Sequence, residues 1–486
     1  MKLRELLEDL DYQIIKGNID SDINEINYDS RKVKNSDIFV CIKGFQVDGH
    51  KFIDKAIENG AKTIIVQDDV NISEDVNVIK LEDTRKGLAI LGSKFYENPK
   101  DKLKIIGVTG TNGKTTTAFM IKKILEENGS KVGLIGTIAN YIGNREIQTE
   151  RTTPESLELH GLFKEMVDSK VEYCVMEVSS HSLELDRVYG IEFEASIFTN
   201  LTRDHLDFHK TFENYYKAKF KLFERSKISI VNIDDEYGVR VTKDLEKLNK
   251  KYKTYSIKGK ADIEIKDKLS EKMDTIFKVS IGNEEEKMCL PIPGEYNVAN
   301  ALGAIGALYS LNFSLKDINK GLKDVNVPGR CERCAREFNL PFEILIDYAH
   351  TPDGLKNILE TAKEFTEGKL IALFGCGGDR DKTKRPQMGE IGTNLSDFSI
   401  ITSDNPRTED PEDIIEDIIK GIKKDNYIKI TDRKEAIRKA IDLAKENDVI
   451  VIAGKGHETY QVLNTGKIHF DEREVIEEYL KQKRGV

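Results

Sequence analysis

Apolar runs of strand length recur along the chain, and most of them close on a polar or glycine-rich loop. DIFVCIKG (37–44) and AKTIIVQ (61–67) flank the helical pattern HKFIDKAIENG (50–60). This mixture predicts a small α/β domain over residues 1–100. From residue 103 the pattern becomes regular. LKIIGVTG (103–110), KVGLIGT (131–137), EYCVMEVSS (172–180), ASIFTN (195–200) and ISIVNID (228–234) are buried-strand candidates separated by helical segments. Strands alternating with helices predict a doubly wound parallel sheet, here within a domain spanning 101–327. Residues 252–293 read as an antiparallel excursion closed by Pro291 and Pro293, and 294–311 as a helix. Pro328-Gly329-Arg330 reads as a hinge into a third α/β domain, 328–486. There FEILIDYAH (342–350), KLIALFGCGGDRD (369–381), DFSIITSDNPR (397–407) and DVIVIAGKGHE (448–458) each join an apolar run to a charged loop.

In parallel sheets of this kind ligands bind beyond the carboxyl ends of the strands. The residues found there, Thr109–Thr117, Glu177–His181 and Asn200–His209, are the chemically capable ones. The third domain repeats the arrangement with four loaded loops. Two sheets with loaded edges place the expected chemistry in a cleft between them.

Composition narrows the function classes. The 486 residues are 39% hydrophobic and 33% charged, as expected of a globular enzyme rather than a disordered chain. The net charge of -10, from 75 basic and 85 acidic residues, argues against a nucleic-acid scaffold. It leaves room for a local basic pocket that takes an anionic small molecule. No uncharged apolar stretch reaches membrane-spanning length. The start, MKLRELLEDLDYQII, carries acids within its apolar pattern, unlike a signal peptide. Six scattered cysteines then read as reduced thiols in a cytoplasm. Cys331 and Cys334 form one CxxC without a second pair, so they read as ordinary small residues rather than a zinc site.

Gly107-Val108-Thr109-Gly110-Thr111-Asn112-Gly113-Lys114-Thr115-Thr116-Thr117 lies between a strand and a helix. Glycines let backbone N–H groups wrap phosphate oxygens, and the helix N-terminus adds a positive field. Lys114 can reach outer phosphates, and the Thr115 hydroxyl can ligate Mg²⁺. Val108 stands where the strict Walker pattern has glycine, so the loop is a variant. Glu177, at a strand end beside that loop, is a hard-metal ligand candidate or a strand-terminal cap. His205, in DHLDFH, is a metal or phosphate ligand or a surface histidine. The cations of GGDRDKTKRP (377–386) are anion-capturing or a solvated face.

GTNGKTT, EVSSH, DHLDFH, NVAN, PGR, DYAHTPD and DNPR together resemble the Mur ligase family, from about residue 25 to 460 and in the family's order. GTNGKTT alone is shared with folylpolyglutamate synthases; DYAHTPD with GGDRDKTKRP and DNPR is far more specific. The resemblance implies a central P-loop-type ATPase domain and a Rossmann-like C-terminal domain. It implies ATP-dependent ligation through an acyl phosphate, with Mg²⁺, in cytoplasmic peptidoglycan precursor synthesis. The implied partners are UDP-N-acetylmuramoyl-L-alanyl-D-glutamate and meso-diaminopimelate, with no nucleic acid or membrane and a monomeric chain.

Carried over residue by residue, the resemblance assigns ATP contacts to Gly110, Thr111, Asn112, Gly113, Lys114, Thr115 and Thr116. It adds Asn300 for adenine, with Asn297 on the same helical face, and Arg330 and Asp347 from the third domain. Thr115, Glu177, His205 and Lys219 match metal positions, Lys219 as a carbamate. Without the family, a bare lysine in KAKFK reads as a solvated helix face. Lys114, Lys219 and His205 are the implied catalytic residues. Ser30, Thr152, Thr153, Ser179 and Arg187 match contacts to the nucleotide-sugar peptide, with Leu185 standing where some relatives carry glutamine. The amino-acid site is implied to comprise Arg380, Asp404, Asn405, Pro406, Arg407, Gly454 and Glu458. Arg407 favours diaminopimelate, whose distal carboxylate it can pair bidentately.

Three alternatives follow the same residues. One is a ligase that adds L-lysine, which would leave Arg407 without an anion. Another is a folylpolyglutamate synthase, which does not need the specific third-domain loops. The last is a non-catalytic nucleotide-binding scaffold, which need not keep Lys114, Glu177, His205 and Lys219 together.

Overall fold

The computed structural model describes residues 1–44, 47–271 and 274–484. The chain divides into two compact units. One comprises residues 1–256, 260–262 and 303–314; the other comprises 257–259, 263–302 and 315–486.

The first unit holds two sheets. The smaller runs in the order Gln13–Lys16, Asn77–Lys80, Thr63–Val66, Ile38–Val40, Ile26–Asn27, parallel except at Gln13–Lys16. Ile38, Phe39, Val40, Ile64, Ile65 and Val66 are fully buried, as a strand covered on both faces requires. These are the two runs that the pattern marks. The other three strands are too short or too polar to stand out. The expected helix at 50–60 is a tight turn, Gly49–Phe52, leading into a helix over Ile53–Glu58.

The larger sheet runs Tyr252–Ser256, Ser229–Asn232, Ala195–Phe198, Lys104–Thr109, Tyr173–Glu177, Val132–Ile135, all parallel. Two antiparallel strands, Asn140–Ile142 and Arg145–Ile147, extend it. The chain winds to one side of Lys104–Thr109 and then to the other. That strand therefore sits at the switch point where such sheets open a crevice. One expectation is corrected here. The sequence pattern places Tyr252–Ser256 in the antiparallel excursion, yet it pairs in parallel with Ser229–Asn232 after the crossover helix Glu236–Lys247. Its sequence, YKTYS, has no aliphatic residue to mark it as a sheet interior.

In the second unit, Ile263–Glu271, Asp274–Ile281 and Glu284–Leu290 form the expected antiparallel excursion; Lys272 and Met273 within it lie outside the described residues. A six-stranded sheet follows in the order Glu332–Cys334, Glu343–Asp347, Val449–Ala453, Leu370–Phe374, Phe398–Ile401, Tyr427–Lys429, parallel except for the first pair. Its four central strands are the four marked apolar runs. A hairpin, Tyr460–Leu463 with Gly466–His469, was not foreseen. Beneath the strand ends lies a fully buried ion pair: Arg433 Nε donates to Glu472 Oε1 at 2.7 Å. The same guanidinium donates to the carbonyls of Ser403 (3.2 Å) and Ala453 (2.9 Å), tying two strand ends together. Neither Cys331 nor Cys334 belongs to a metal-ligand cluster among the described residues. Nor is any helix among them long and apolar enough to cross a membrane.

One core residue makes the first unit acid-sensitive. His160, on the helix Ser156–Asp168, is fully buried and neither ring nitrogen has a partner. Its ring meets Phe163 edge-on at 5.8 Å. Burial pushes its pKa down to about 4. The folded state thus resists a proton that the unfolded chain accepts near pH 6.5, so stability is lost as pH falls from there toward 4. His160→Leu should flatten that loss, by up to about 3 kcal/mol at pH 4. Denaturant melts of both proteins at pH 7 and pH 4 measure it; equal losses in the two would contradict the assignment.

Candidate active site

In the first unit the loop after Lys104–Thr109 turns sharply into the helix Lys114–Glu127. Gly110 has φ +151°, and a Cβ there would lie 1.9 Å from the Thr199 hydroxyl. Gly113 has φ +87° at the helix N-terminus. Both positions therefore demand glycine. Neighbouring loops fix the turn. Asn112 N–H donates to Asn200 Oδ1 at 2.9 Å, and Thr111 Oγ1 shares a 3.0 Å hydrogen bond with the Tyr215 hydroxyl. The first N–H groups of the helix have no intrahelical acceptor, which leaves them for phosphate oxygens.

Two lysines converge on this loop. Lys114 Nζ donates to the carbonyls of Gly110 (2.9 Å) and Thr111 (2.8 Å). Lys219 Nζ donates to the same Gly110 carbonyl at 2.8 Å and lies 4.8 Å from the centre of the Tyr215 ring. Lys219 is buried, not on a solvated face. No carboxylate lies within ion-pairing distance of it among the described residues. Burial, reinforced by the Lys114 charge, holds its pKa well below the ordinary lysine value. Such an amine is available as a neutral nucleophile, which CO₂ requires.

Glu177, at the end of the adjacent strand, is fully buried. Its Oε2 accepts from the hydroxyls of Thr115 and Thr137, each at 3.0 Å, and its Oε1 accepts from Thr137 N–H at 2.9 Å. A carboxylate held by exchangeable hydroxyls rather than a cation suits a hard metal ion. Thr115 and Glu177 are thus in direct contact. His205 has φ +52°, is exposed, and stands 4.8 Å from the His181 ring and 6.1 Å from the Tyr215 ring. Thr137 was missed from sequence, although it closes the marked run 131–137.

Four of the predicted substrate residues adjoin Glu177. Thr152 Oγ1 is 3.0 Å from Thr137 Oγ1, and Thr153 Oγ1 donates to the Glu177 carbonyl at 2.8 Å. Ser179 N–H donates to Thr153 Oγ1 at 3.1 Å, while Arg187 Nη1 donates to the Thr153 carbonyl at 3.1 Å. Arg187 also pairs with Glu155 at 2.8 Å, and its Nε is buried without a partner. Ser30 is not in this group. It lines a cavity of about 1210 Å³ together with Tyr28, Arg31, Lys55, Arg151 and Glu158. The Tyr28 hydroxyl donates to Glu158 at 2.5 Å and joins the two walls. Neither Tyr28 nor Glu158 was singled out in the sequence.

The second unit gathers its own set. Asn297 and Asn300 are buried on one helix, with Asn297 Nδ2 held by the Pro293 carbonyl at 2.7 Å. The Arg330 guanidinium lies 4.8 Å from the centre of the Tyr348 ring, and its Nε is sequestered without a partner. Asp347 accepts from Cys331 N–H (2.7 Å) and Ala349 N–H (2.9 Å). The Asp404 carboxylate is buried, and its Oδ2 has no partner. Asn405 Nδ2 donates to Glu458 Oε2 at 2.8 Å. A Cβ on Gly454 would lie 2.5 Å from Asp404 Oδ2, so a side chain at this position would collide with the carboxylate. Pro406 packs its carbonyl against Gly378, where a Cβ would come within 1.9 Å. Arg407 is half-buried, not enclosed; its Nη1 donates to the Gly378 carbonyl at 2.8 Å. Arg380 is exposed and donates to the Asp379 carbonyl. Both arginines approach Gly377.

A loop bounded by glycines, at the switch point of a parallel sheet, with lysine and threonine opening its helix, defines a phosphate-loop nucleotide-binding protein. The chain belongs to the Mur ligase family. Three family models match it: "Mur ligase family, catalytic domain" over residues 22–96, "Mur ligase middle domain" over 108–308 and "Mur ligase, glutamate ligase domain" over 329–456. It is 62% identical over 485 residues to the UDP-N-acetylmuramoyl-L-alanyl-D-glutamate–2,6-diaminopimelate ligase of Clostridium perfringens, covering 99% of this chain and 100% of that one. The protein of that name from Clostridioides difficile is 48% identical over 486 residues, covering 99% and 100%. A solved structure of a ligase with this name superposes with TM-score 0.75 at 31% identity, covering 100% of this chain and 99% of that one. Folylpolyglutamate synthase of Mycobacterium tuberculosis shares the fold, with TM-score 0.62 at 16% identity over 76% of this chain and 92% of that one.

The loop geometry makes Lys114 decisive for nucleotide chemistry. Lys114→Ala removes the cation that opens the helix after the glycine turn while leaving Gly110 and Gly113 in place, so the fold should survive and ADP formation should fall below detection. A coupled ADP-release assay on the folded variant measures this; turnover near the wild-type rate would contradict the phosphate-loop assignment.

Proposed function

We propose that this chain is an ATP-dependent ligase that joins meso-diaminopimelate to UDP-N-acetylmuramoyl-L-alanyl-D-glutamate in cytoplasmic peptidoglycan precursor synthesis. The observation that carries the reading is 62% identity along 99% of the chain to a ligase of that name, with Arg407 present in the amino-acid site. We read the chain as a monomer of three domains, 1–100, 101–327 and 328–486.

The reaction joins a carboxylate to an amine. The terminal carboxylate of the dipeptide attacks the γ-phosphorus of ATP, the bond from that phosphorus to the β,γ-bridging oxygen breaks, and ADP departs as the acyl phosphate forms. The amine then attacks the acyl carbon, loses a proton, and inorganic phosphate departs. Several anionic groups must approach one another, so the chain's fixed donors must offset their repulsion. The amides from Gly110 to Thr116 bind the phosphates, and Lys114 exchanges its two loop carbonyls for an outer phosphate oxygen. Asn300 addresses adenine, with Arg330 and Asp347 holding the rest of the nucleoside. Thr115, Glu177, His205 and Lys219 as its carbamate would hold Mg²⁺, which when bound supplies Lewis-acid screening of the phosphate and acyl oxygens. The contact of Thr115 with buried Glu177, and the anion-free burial of Lys219, support that assignment. Thr152, Thr153, Ser179 and Arg187 would receive the dipeptide end of the substrate, and Ser30 its nucleotide end in the adjoining cavity. Arg380, Asp404, Asn405, Pro406, Arg407, Gly454 and Glu458 would bind the incoming amino acid.

Lysine as the amine is the second reading, and Arg407 speaks against it. Diaminopimelate brings a distal carboxylate to the guanidinium, whereas lysine brings another cation. Because Arg407 is half-buried and bonded to carbonyls, its cost when unpaired is below that of an enclosed guanidinium. The expected discrimination is therefore roughly 10- to 100-fold.

Two measurements test these assignments. Lys219→Ala should lose most activity, with partial recovery on adding short carboxylic acids; full activity at ordinary Mg²⁺ would make Lys219 a packing residue only. Arg407→Ala should reduce kcat/KM for meso-diaminopimelate by about 10- to 100-fold, leave the KM for ATP within about twofold, and narrow the gap to L-lysine. Wild-type enzyme that uses L-lysine as well as diaminopimelate would overturn the choice of amine and leave the ligase standing.

A further inference from the structure

One charged residue of the GKGHE loop has no place in the assignments above. Lys455 is fully buried, an unusual position for a lysine. Its Nζ donates to Asn405 Oδ1 at 3.1 Å and to Glu458 Oε2 at 3.1 Å. Those two acceptors are the polar side chains that flank the amino-acid site. They also bond each other, Asn405 Nδ2 to Glu458 Oε2 at 2.8 Å.

The hydrogen-bond inventory of this triad leaves little freedom. Asn405 Oδ1 receives Lys455 Nζ and also Val462 N–H at 2.9 Å, which uses both its lone pairs. An ammonium and a backbone N–H can only donate. A flipped amide would aim its own hydrogens at two donors, so the orientation of Asn405 is determined rather than chosen. The NH₂ group must then face Glu458, with one hydrogen given to Oε2 and the other unassigned. Glu458 Oε2 accepts twice, from Lys455 and Asn405, and Oε1 has no protein donor among the described residues. The triad therefore retains one uncommitted N–H donor and one uncommitted carboxylate oxygen. That pair complements an amino-acid centre, whose carboxylate accepts and whose ammonium donates.

We propose that Lys455 is a positioning residue for the incoming amino acid: from beneath the site it fixes the amide of Asn405 and the carboxylate of Glu458 so that their remaining donor and acceptor present one zwitterionic α-amino-acid group with complementary partners. The inference rests on the reading of the amine site under Proposed function. Lys455 acts through these two side chains, to which its ammonium is committed. Without it, Asn405 can rotate and Glu458 loses its charge-assisted partner, so the amino acid meets a site of mixed orientations. The nucleotide and the nucleotide-sugar peptide do not depend on this triad.

The test is steady-state kinetics on full-length protein, with each of the three substrates varied in turn. Lys455→Met should raise KM for meso-diaminopimelate at least about tenfold, with the KM values for ATP and the UDP-linked dipeptide within about twofold of wild type. Lys455→Gln, a neutral side chain that keeps two N–H donors, should raise it less. It also serves as the test if the methionine protein does not fold; an increase of about threefold or more is then expected. An unchanged KM for diaminopimelate in the folded methionine protein, or in the glutamine protein where that one stands alone, would overturn the proposal. So would an equal rise in all three KM values, which would mark Lys455 as general scaffolding. Failure of the underlying reading looks different. Wild-type protein would then transfer no diaminopimelate, and the variants would be compared on whichever amine it does transfer.

Discussion

The carbonyl oxygen of Gly110 is the point on which the first unit turns. Two ammonium groups, from Lys114 and Lys219, donate to it within 3 Å. Placing two cations against one neutral oxygen in a buried loop is unfavourable unless an anion arrives or one amine gives up its proton. The structure answers on both sides. Lys219 is the more buried of the two, and burial together with the Lys114 charge holds its pKa down. Lys114 sits at a helix start whose N–H groups attract phosphate. The backbone at Gly110 and Gly113 is left-handed in φ, and the Thr199 hydroxyl fills the space a side chain would need. Loop conformation, lysine protonation and anion affinity are thus one constraint seen at three scales.

Glu177 extends that constraint to the substrate side. A buried carboxylate requires donors, and it finds them in Thr115 on the phosphate-loop helix and Thr137 on a neighbouring strand end. Thr137 then reaches Thr152, and the Glu177 carbonyl takes Thr153. The residues assigned to phosphate, metal and peptide are therefore connected by hydrogen bonds before any ligand binds. In the second unit the buried Arg433–Glu472 pair plays a comparable part, because its guanidinium holds the carbonyls of Ser403 and Ala453 just before Asp404 and Gly454.

How much of this was legible depended on the kind of signal. Long aliphatic runs such as LKIIGVT and DVIVIAG announce themselves as buried parallel strands, and their terminal loops supplied nearly every candidate residue. YKTYS did not, because a strand of alternating Tyr, Lys and Thr carries no burial signature until a neighbour covers it. Glu177 is marked by its place at a strand end beside the phosphate loop, whereas Ser30 and Lys219 are reached only through motif resemblance, since a lone serine or lysine is mute in isolation. Thr137, Tyr28 and Glu158 stayed hidden because their importance is relational: a threonine becomes a carboxylate donor, and a tyrosine a cavity tie, only through residues distant in sequence. Lys455 carries no signal of its own, since sequence does not show that a lysine between two glycines has no exposure.

Arg407 carries a last implication, for how this site can diverge. Its backbone adopts φ +54°, and its N–H is tied to the Val462 carbonyl of the hairpin at 3.0 Å. Left-handed backbone favours glycine, asparagine and aspartate and penalises β-branched residues. Descendants of this sequence that lose the arginine thus face a narrow menu at that position, and all three of the favoured residues discard its positive charge. Drift toward a cationic amine is sterically open here, whereas gaining an aliphatic substrate through valine or isoleucine at 407 would carry a backbone cost of roughly 1–2 kcal/mol or more.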